Sequence, residues 1–157
     1  MLSSAKWNFV EKIGKGALLT ATSSQGESNP MTVSWGGCGV LWGKQVCFLF
    51  VRPQRYTLGF LEDGEVSTLS FFGKDRAQTL AFCGKESGRD FDKFKECKLS
   101  YKNEHGVVYD DAEHTIILKK LYAQDLKKEC FIDTGSLKWY KDDDFHRMYI
   151  CEVISVE

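Results

Sequence analysis

The chain has 157 residues, 43% hydrophobic and 27% charged, with a formal net charge of -1. That size and mixture predict a single globular domain, 1–157, able to bury a core without disulfide staples. The balanced charge gives no overall basic field for nucleic acid, so any anion site must be local. From the N-terminus, residues 8–13 read as a short helix running into Gly14 and Gly16. Residues 17–23 read as a strand, and SQGESN (24–29) as the turn of a hairpin. Residues 31–35 alternate, with Met31, Val33 and Trp35 on one side and Thr32 and Ser34 on the other. Gly36, Gly37 and Gly39 then permit a bulge or a close approach by a ligand or another backbone. Gly43-Lys44 is read as a turn, and 45–51 as a strand ended by Pro53.

Residues 55–62 predict a short helix stopped at Asp63-Gly64, and 65–72 a β-branched, aromatic strand. Residues 74–83 predict a helix with Ala77, Leu80 and Ala81 on one face and Gly84 past its end. SGRD (87–90) matches a capping box and predicts a further helix over 89–97. Residues 115–123 read as a strand, 125–139 as an irregular excursion and 146–156 as a final strand. Strands broken by short helices predict a mainly β member of the α+β class, around an antiparallel sheet or barrel.

No apolar run approaches the roughly 20 residues that cross a bilayer. The first fifteen residues lack the charged end and apolar run of a secretion leader, so cytoplasmic placement is expected. Six cysteines stand at positions 38, 47, 83, 97, 130 and 151. Without secretory context or the short spacings of zinc sites, they predict scattered, mostly buried, reduced thiols and no bound metal.

The most informative stretch is VRPQRYT (51–57). Arg52 and Arg55 supply forked guanidinium groups suited to phosphate oxygens, Thr57 a hydroxyl, and the helix beginning there its free N–H groups. The plain alternative is a capped helix beside two solvated or paired arginines. In SGRDFDK (87–93), Gly88 allows close backbone approach while Arg89 and Lys93 share a helix face. Its plain alternative is a capped surface helix with internal ion pairs. No catalytic triad is visible, because His105, His114 and His146 lie far apart without patterned partners.

Five segments, MTVSWGG (31–37), VRPQRYT (51–57), STLSFF (67–72), FCGKESGRDFDKF (82–94) and DFHRMYICEV (144–153), resemble the flavin reductase-like, FMN-binding split-barrel family, and within it the flavoredoxin-like branch. They stand in that family's order and roughly its spacing. The resemblance implies a six-stranded antiparallel Greek-key barrel with short helices, FMN as cofactor and a homodimer. It places Thr32, Val33, Ser34 and Trp35 along the flavin. Arg52, Arg55, Tyr56 and Thr57 would surround its phosphate and ribityl chain. Ser70, Phe71 and Phe72 resemble the strand that passes the ring. Cys83, Gly84, Ser87, Gly88, Arg89 and Lys93 resemble the elements that close the site. The implied activity is oxidoreduction: electrons pass through FMN from NAD(P)H or a reduced protein partner to an acceptor. The alternative is a non-enzymatic electron carrier or a flavin store or sensor.

The sequence departs from the wider family at its end. Many reductases there close with Gly-Asp-His and a Gly-Glu-Val strand, the histidine lying on the nicotinamide side of the flavin. Here Phe145 is interposed in Asp144-Phe145-His146, and Cys151 replaces the glycine before Glu152-Val153. His146 is thus the one catalytic candidate, and its alternative is an exposed strand-end histidine.

Overall fold

The computed structural model describes residues 7–157. Residues 1–6, part of the stretch inspected for a leader, lie outside the described residues. Helix α1 (Phe9–Gly14) is capped by Asn8, whose side chain accepts from the Glu11 N–H. Hairpin β1 (Ala17–Thr22) and β2 (Ser28–Val33) follows, then hairpin β3 (Gly36–Leu41) and β4 (Lys44–Val51). Helix α2 (Thr57–Asp63), strand β5 (Val66–Phe71), helix α3 (Ala77–Lys85) and the single turn α4 (Lys93–Glu96) come next. A small hairpin, β6 (Tyr101–Asn103) and β7 (Val107–Tyr109), precedes the long strands β8 (His114–Asp125) and β9 (Arg147–Val156). Two 3-10 turns, Lys128–Cys130 and Thr134–Trp139, lie in the segment between them.

Seven strands form one antiparallel sheet in the order β2-β1-β5-β8-β9-β4-β3. Its two outermost strands, β2 and β3, are joined by Ser34 and Trp35 alone. Three extended peptide steps span only about 10 Å, so the sheet must curl until its edges meet at that corner. No ladder pairs β2 with β3, which leaves a seam there rather than a closed cylinder. This is a split barrel with seven strands, one more than expected.

The alternation of side chains explains the two cores. Leu19, Met31, Leu49, Leu69, Ile116, Leu118 and Tyr149 point inward and fill the curled sheet. Leu18, on the opposite face of β1, packs with Phe72, Cys83, Leu99, Val107 and Tyr109 under the small hairpin and α3. Strands β1 and β5 are therefore covered on both faces, and their sequences lack clean polar alternation. Outward hydroxyls on these strands are satisfied by what covers them. Thr20 Oγ1 pairs with the Tyr109 hydroxyl (2.7 Å) and Thr68 Oγ1 donates to the Val107 carbonyl (2.8 Å).

Several boundaries differ from expectation. Residues 36–41 form an edge strand: three glycines leave no face pattern in the sequence, and β4 supplies the backbone pairing. The turn sits on Trp42 and Gly43, at φ 53° and 70°, one residue earlier than read. Gly84 lies within α3, where an added Cβ would sit 3.4 Å from Thr32 Cβ, so its bareness lets the helix lie on β2. The capping box at 87–90 does not start a helix. Ser87 Oγ accepts from the Arg89 N–H two residues on, a local turn, and the helix begins only after Asp92 caps it. The small hairpin 101–109 had no sequence signature: each strand has three residues, and all three of the first are exposed.

Candidate functional site

Three cavities share lining residues, and the seam residue Ser34 lines two of them. The first, about 200 Å³, is walled by Met31, Thr32, Val33, Ser34, Trp35, Phe50, Arg52, Arg55 and His146. The second, also about 200 Å³, is walled by Gln54, Arg55, Tyr56, Thr57 and the stretch from Lys85 to Arg89, with Lys93. Arg55 is common to both. A third and larger cavity, about 860 Å³, shares Thr32 and Ser34 with the first and runs over Phe71, Phe72, Leu80 and Ala81. The shared lining residues make the first cavity a neighbour of each of the others, and the largest is in the size range of small-molecule sites.

The corner at 51–57 divides between the cavities. Arg52 turns to the first. It donates to Asp144 Oδ2 (2.6 Å) and the Trp139 carbonyl (2.9 Å), and lies over the Tyr140 ring. Gln54 and Arg52 both bind Asp144 and hold its carboxyl below the usual carboxylate range, the Gln54 hydrogen bond contributing most. Arg55 turns to the second cavity. Its fork spans two carbonyls, Gly84 (2.6 Å) and Cys83 (3.0 Å). Burial lowers its pKa from the ordinary value, yet a guanidinium stays charged. Helix α2 begins at Thr57, two residues later than read, and Leu58 N–H is already bonded to the Arg55 carbonyl. Thr57 is buried, its hydroxyl accepting from Asn29 Nδ2 (2.7 Å).

Lys93 is 3% exposed. Its ammonium donates to the carbonyls of Pro30 (3.0 Å) and Cys83 (3.1 Å), tying α4 to β2 and α3. Burial is the main cause of its lowered pKa. Arg89 lies over the Tyr56 ring, 5.0 Å from its centroid, and makes a long bond to the Gln54 carbonyl. Gly88 is required by packing: a Cβ there would stand 2.1 Å from Asn29 Oδ1. Four cationic side chains, Arg55, Lys85, Arg89 and Lys93, thus face one carboxylate, Glu86, in the second cavity. In a chain of net charge -1, this is a local concentration of positive charge.

The remaining expected residues are placed as follows. Thr32 donates its hydroxyl to the Leu80 carbonyl (2.6 Å), so it fixes α3 against β2 as well as lining two cavities. Ser34 and Trp35 sit in the seam itself, after β2 has ended. Phe71 and Phe72 line the third cavity. Ser70 is fully buried against Thr115 and reaches no cavity named above. Cys83 contributes its carbonyl, while burial pushes its thiol up to about 12.

His146 is 7% exposed, which overturns its reading as an exposed strand-end residue. Its Nδ1 lies 2.8 Å from the Tyr140 hydroxyl, and Trp35 and Phe50 pack around the ring. Burial first, then the Arg52 charge, depress its pKa to about 4. The imidazole is therefore neutral at pH 7, and Tyr140 fixes which nitrogen can face the cavity. Asn29, Tyr140 and Asp144 were not singled out from the sequence. Asp144 stands inside the closing DFH motif and was open to inference. Tyr140 lies in an irregular segment with no periodic signal.

A neutral buried histidine destabilises the fold in acid. The unfolded chain takes up the proton near 6.5 and the folded chain only near 4. The stabilisation is complete above pH 6.5 and is lost as pH falls toward 4, by about 2–3 kcal/mol. Urea unfolding at pH 7.5 and 4.5 should show this excess loss in the native chain and not in His146→Phe. An imidazole NMR titration midpoint near 6.5 would contradict it.

No family model and no curated protein matches this sequence. Solved structures do. An FMN-binding protein from Thermus thermophilus, with bound p-hydroxybenzaldehyde, superposes with a TM-score of 0.67 at 18% identity, over 90% of this chain and 70% of that one. A flavoredoxin from Methanosarcina acetivorans gives 0.67 at 16%, over 90% and 67%. The flavin reductase of the styrene monooxygenase from Pseudomonas putida S12 gives 0.65 at 15%, over 90% and 77%. The chain shares the split-barrel fold of these flavoredoxin and flavin reductase structures. Among the described residues no helix is long and apolar enough to cross a membrane, and no cluster of side chains could hold a metal ion.

Proposed function

We propose that this protein binds FMN across these neighbouring cavities and passes electrons through it, from NAD(P)H or a reduced protein partner to an acceptor. The observation that carries the reading is the second cavity, where four cationic side chains face one carboxylate directly beside a cavity walled by small hydroxyl and aromatic residues. A terminal phosphate joined to a flat, mostly apolar ring matches that pairing.

In this reading Arg55, Arg89, Lys85 and Ser87 hold the phosphate. Of the five donors on Arg89, one goes to Gln54, leaving others for phosphate oxygens. Lys93 acts mainly by anchoring the Pro30 and Cys83 carbonyls and by adding positive charge. Thr32, Val33 and Ser34 present a narrow edge at the seam, where the ring's polar rim finds backbone and hydroxyl groups. Trp35, Phe50 and neutral His146 wall the same cavity and keep water from it. FMN when bound supplies the electron chemistry, and the protein supplies position and surroundings. The exposed aromatic rings of Trp42, Tyr122 and Trp139 are consistent with a homodimer, in which they would be covered.

Purified protein should quench FMN fluorescence on titration and bind riboflavin more weakly. One charge-assisted phosphate contact is worth roughly 1.5–3 kcal/mol, about ten- to a hundredfold in affinity. Equal affinity for the two ligands would remove the phosphate assignment. Anaerobic NADH or NADPH should then bleach the bound flavin. Bleaching by a reduced ferredoxin-type protein alone would favour the carrier function.

A further inference from the structure

Cys38 and Cys47 face each other across the β3–β4 hairpin. That hairpin turns on Trp42 and Gly43, both at positive φ, as a two-residue type I′ turn requires. Leu41 and Lys44 flank such a turn as a hydrogen-bonded pair, and the pairs alternate from there. Val40 with Gln45 is then non-bonded, Gly39 with Val46 bonded, and Cys38 with Cys47 non-bonded. A non-bonded pair brings its Cα atoms to about 4.5 Å, inside the range of roughly 4.4–6.8 Å that a disulfide accepts. The two sulfurs lie 2.7 Å apart.

The two thiols differ in access. Cys38 is half-buried and Cys47 fully buried. Strand β3 is the outermost of its side of the sheet, so Cys38 can be reached without opening a ladder on its far side. Two other contacts compete. Cys151 stands opposite Cys47 on β9, and Cys83 lies 3.9 Å from Cys97 in the second core. Cys151 is buried like Cys47, and Cys97, though half-buried, keeps its sulfur farther from its partner's.

We propose that Cys38 and Cys47 form a reversible dithiol site that exchanges with low-molecular-weight disulfides, with Cys38 the entry thiol and Cys47 the resolving one. The Cys38 thiolate attacks one sulfur of the small disulfide, its S–S bond breaks, and one small thiol leaves with a proton. The Cys47 sulfur then attacks the Cys38 sulfur of the mixed disulfide, and the second small thiol leaves, taking the Cys47 proton. Two protein thiols are oxidised by two electrons to one disulfide, and the small disulfide is reduced to two thiols. The Cys38 sulfur and burial push the Cys47 thiol well up, which disfavours it as the entry thiol.

The test uses the full chain, incubated with glutathione disulfide, alkylated with iodoacetamide and digested with trypsin without reduction. Cleavage after Lys15, Lys44 and Arg55 separates the two cysteines into peptides 16–44 and 45–55. The expected product is these two peptides joined, with loss of both alkylated thiols and their recovery after dithiothreitol. In Cys47→Ala the reaction should stop at a glutathione adduct on Cys38. In Cys38→Ser neither the link nor an adduct on Cys47 should form. Recovery of positions 38 and 47 as alkylated thiols would overturn the proposal. So would a link joining Cys47 to Cys151, or a Cys83–Cys97 link alone. The native-chain mapping decides the matter even if a variant fails to fold.

Discussion

Arg55→Ala is expected to lower affinity for FMN by about ten- to a hundredfold and affinity for riboflavin by much less. Arg55 is the one residue common to the two smaller cavities. Its charge lies beside Lys85, Arg89 and Lys93, and a charge-assisted bond to phosphate is worth roughly 1.5–3 kcal/mol. Its fork also holds the carbonyls of Cys83 and Gly84, so the variant should lose some stability as well. Arg55→Lys keeps the charge but cannot span both carbonyls and should fall between. Arg52→Ala is the comparison. Arg52 is committed to Asp144 and Trp139, so its removal should weaken both ligands alike. Isothermal titration of each variant with both ligands separates these outcomes. An equal loss for FMN and riboflavin in Arg55→Ala would make Arg55 a structural clamp and not a phosphate ligand.

Gly64→Ala is expected to destabilise the fold by about 3 kcal/mol or more, or to prevent folding. Gly64 has an ordinary extended backbone, φ -90° and ψ 163°, so conformational freedom is not the reason for glycine. The reason is space. A Cβ at this position would lie 1.6 Å from the Thr22 carbonyl oxygen, which is backbone and cannot step aside. Relief would require moving the end of β1 away from the start of β5, the pair at the middle of the curled sheet's first half. Gly59→Ala should do the opposite. Gly59 sits inside α2 with open space where its Cβ would be, so alanine should stabilise by about 0.5–1 kcal/mol. Urea unfolding midpoints at constant m-value test both signs.

These two glycines show what the sequence can and cannot reveal. Asp63-Gly64 was legible as a helix stop from the chain alone, but the Thr22 carbonyl behind it was not, because that contact joins residues 42 positions apart. The same holds for the site. The strand that carries Thr32 and the one that ends just before Arg52 were legible from alternation and from Pro53. Arg55 was legible as a basic residue at a helix start, and Lys93 as one sharing a helix face with Arg89. Their actual bonds, to carbonyls of Cys83, Gly84 and Pro30, depend on how α3 lies on β2. Strand β3 was hidden because glycines carry no face pattern, and its pairing is dictated by β4. The burial of His146 was not legible because its partners, Tyr140, Trp35 and Phe50, come from three separate parts of the chain. Periodicity reports which way a side chain points along its own element. It does not report what another element brings to meet it.

The strand order also bears on how the molecule is completed during synthesis. The hairpins β1–β2 and β3–β4 are neighbours in the chain but occupy opposite ends of the sheet order, separated by β5, β8 and β9. Strand β9 pairs with β8 on one side and β4 on the other. Until it emerges, the two hairpins have only Ser34 and Trp35 between them and no sheet to fix their angle. Thr32, Trp35 and Arg52, all made within the first third of the chain, therefore gain their mutual positions last. A ribosome releasing this protein residue by residue delivers Thr32, Trp35 and Arg52 well before the strand that fixes them.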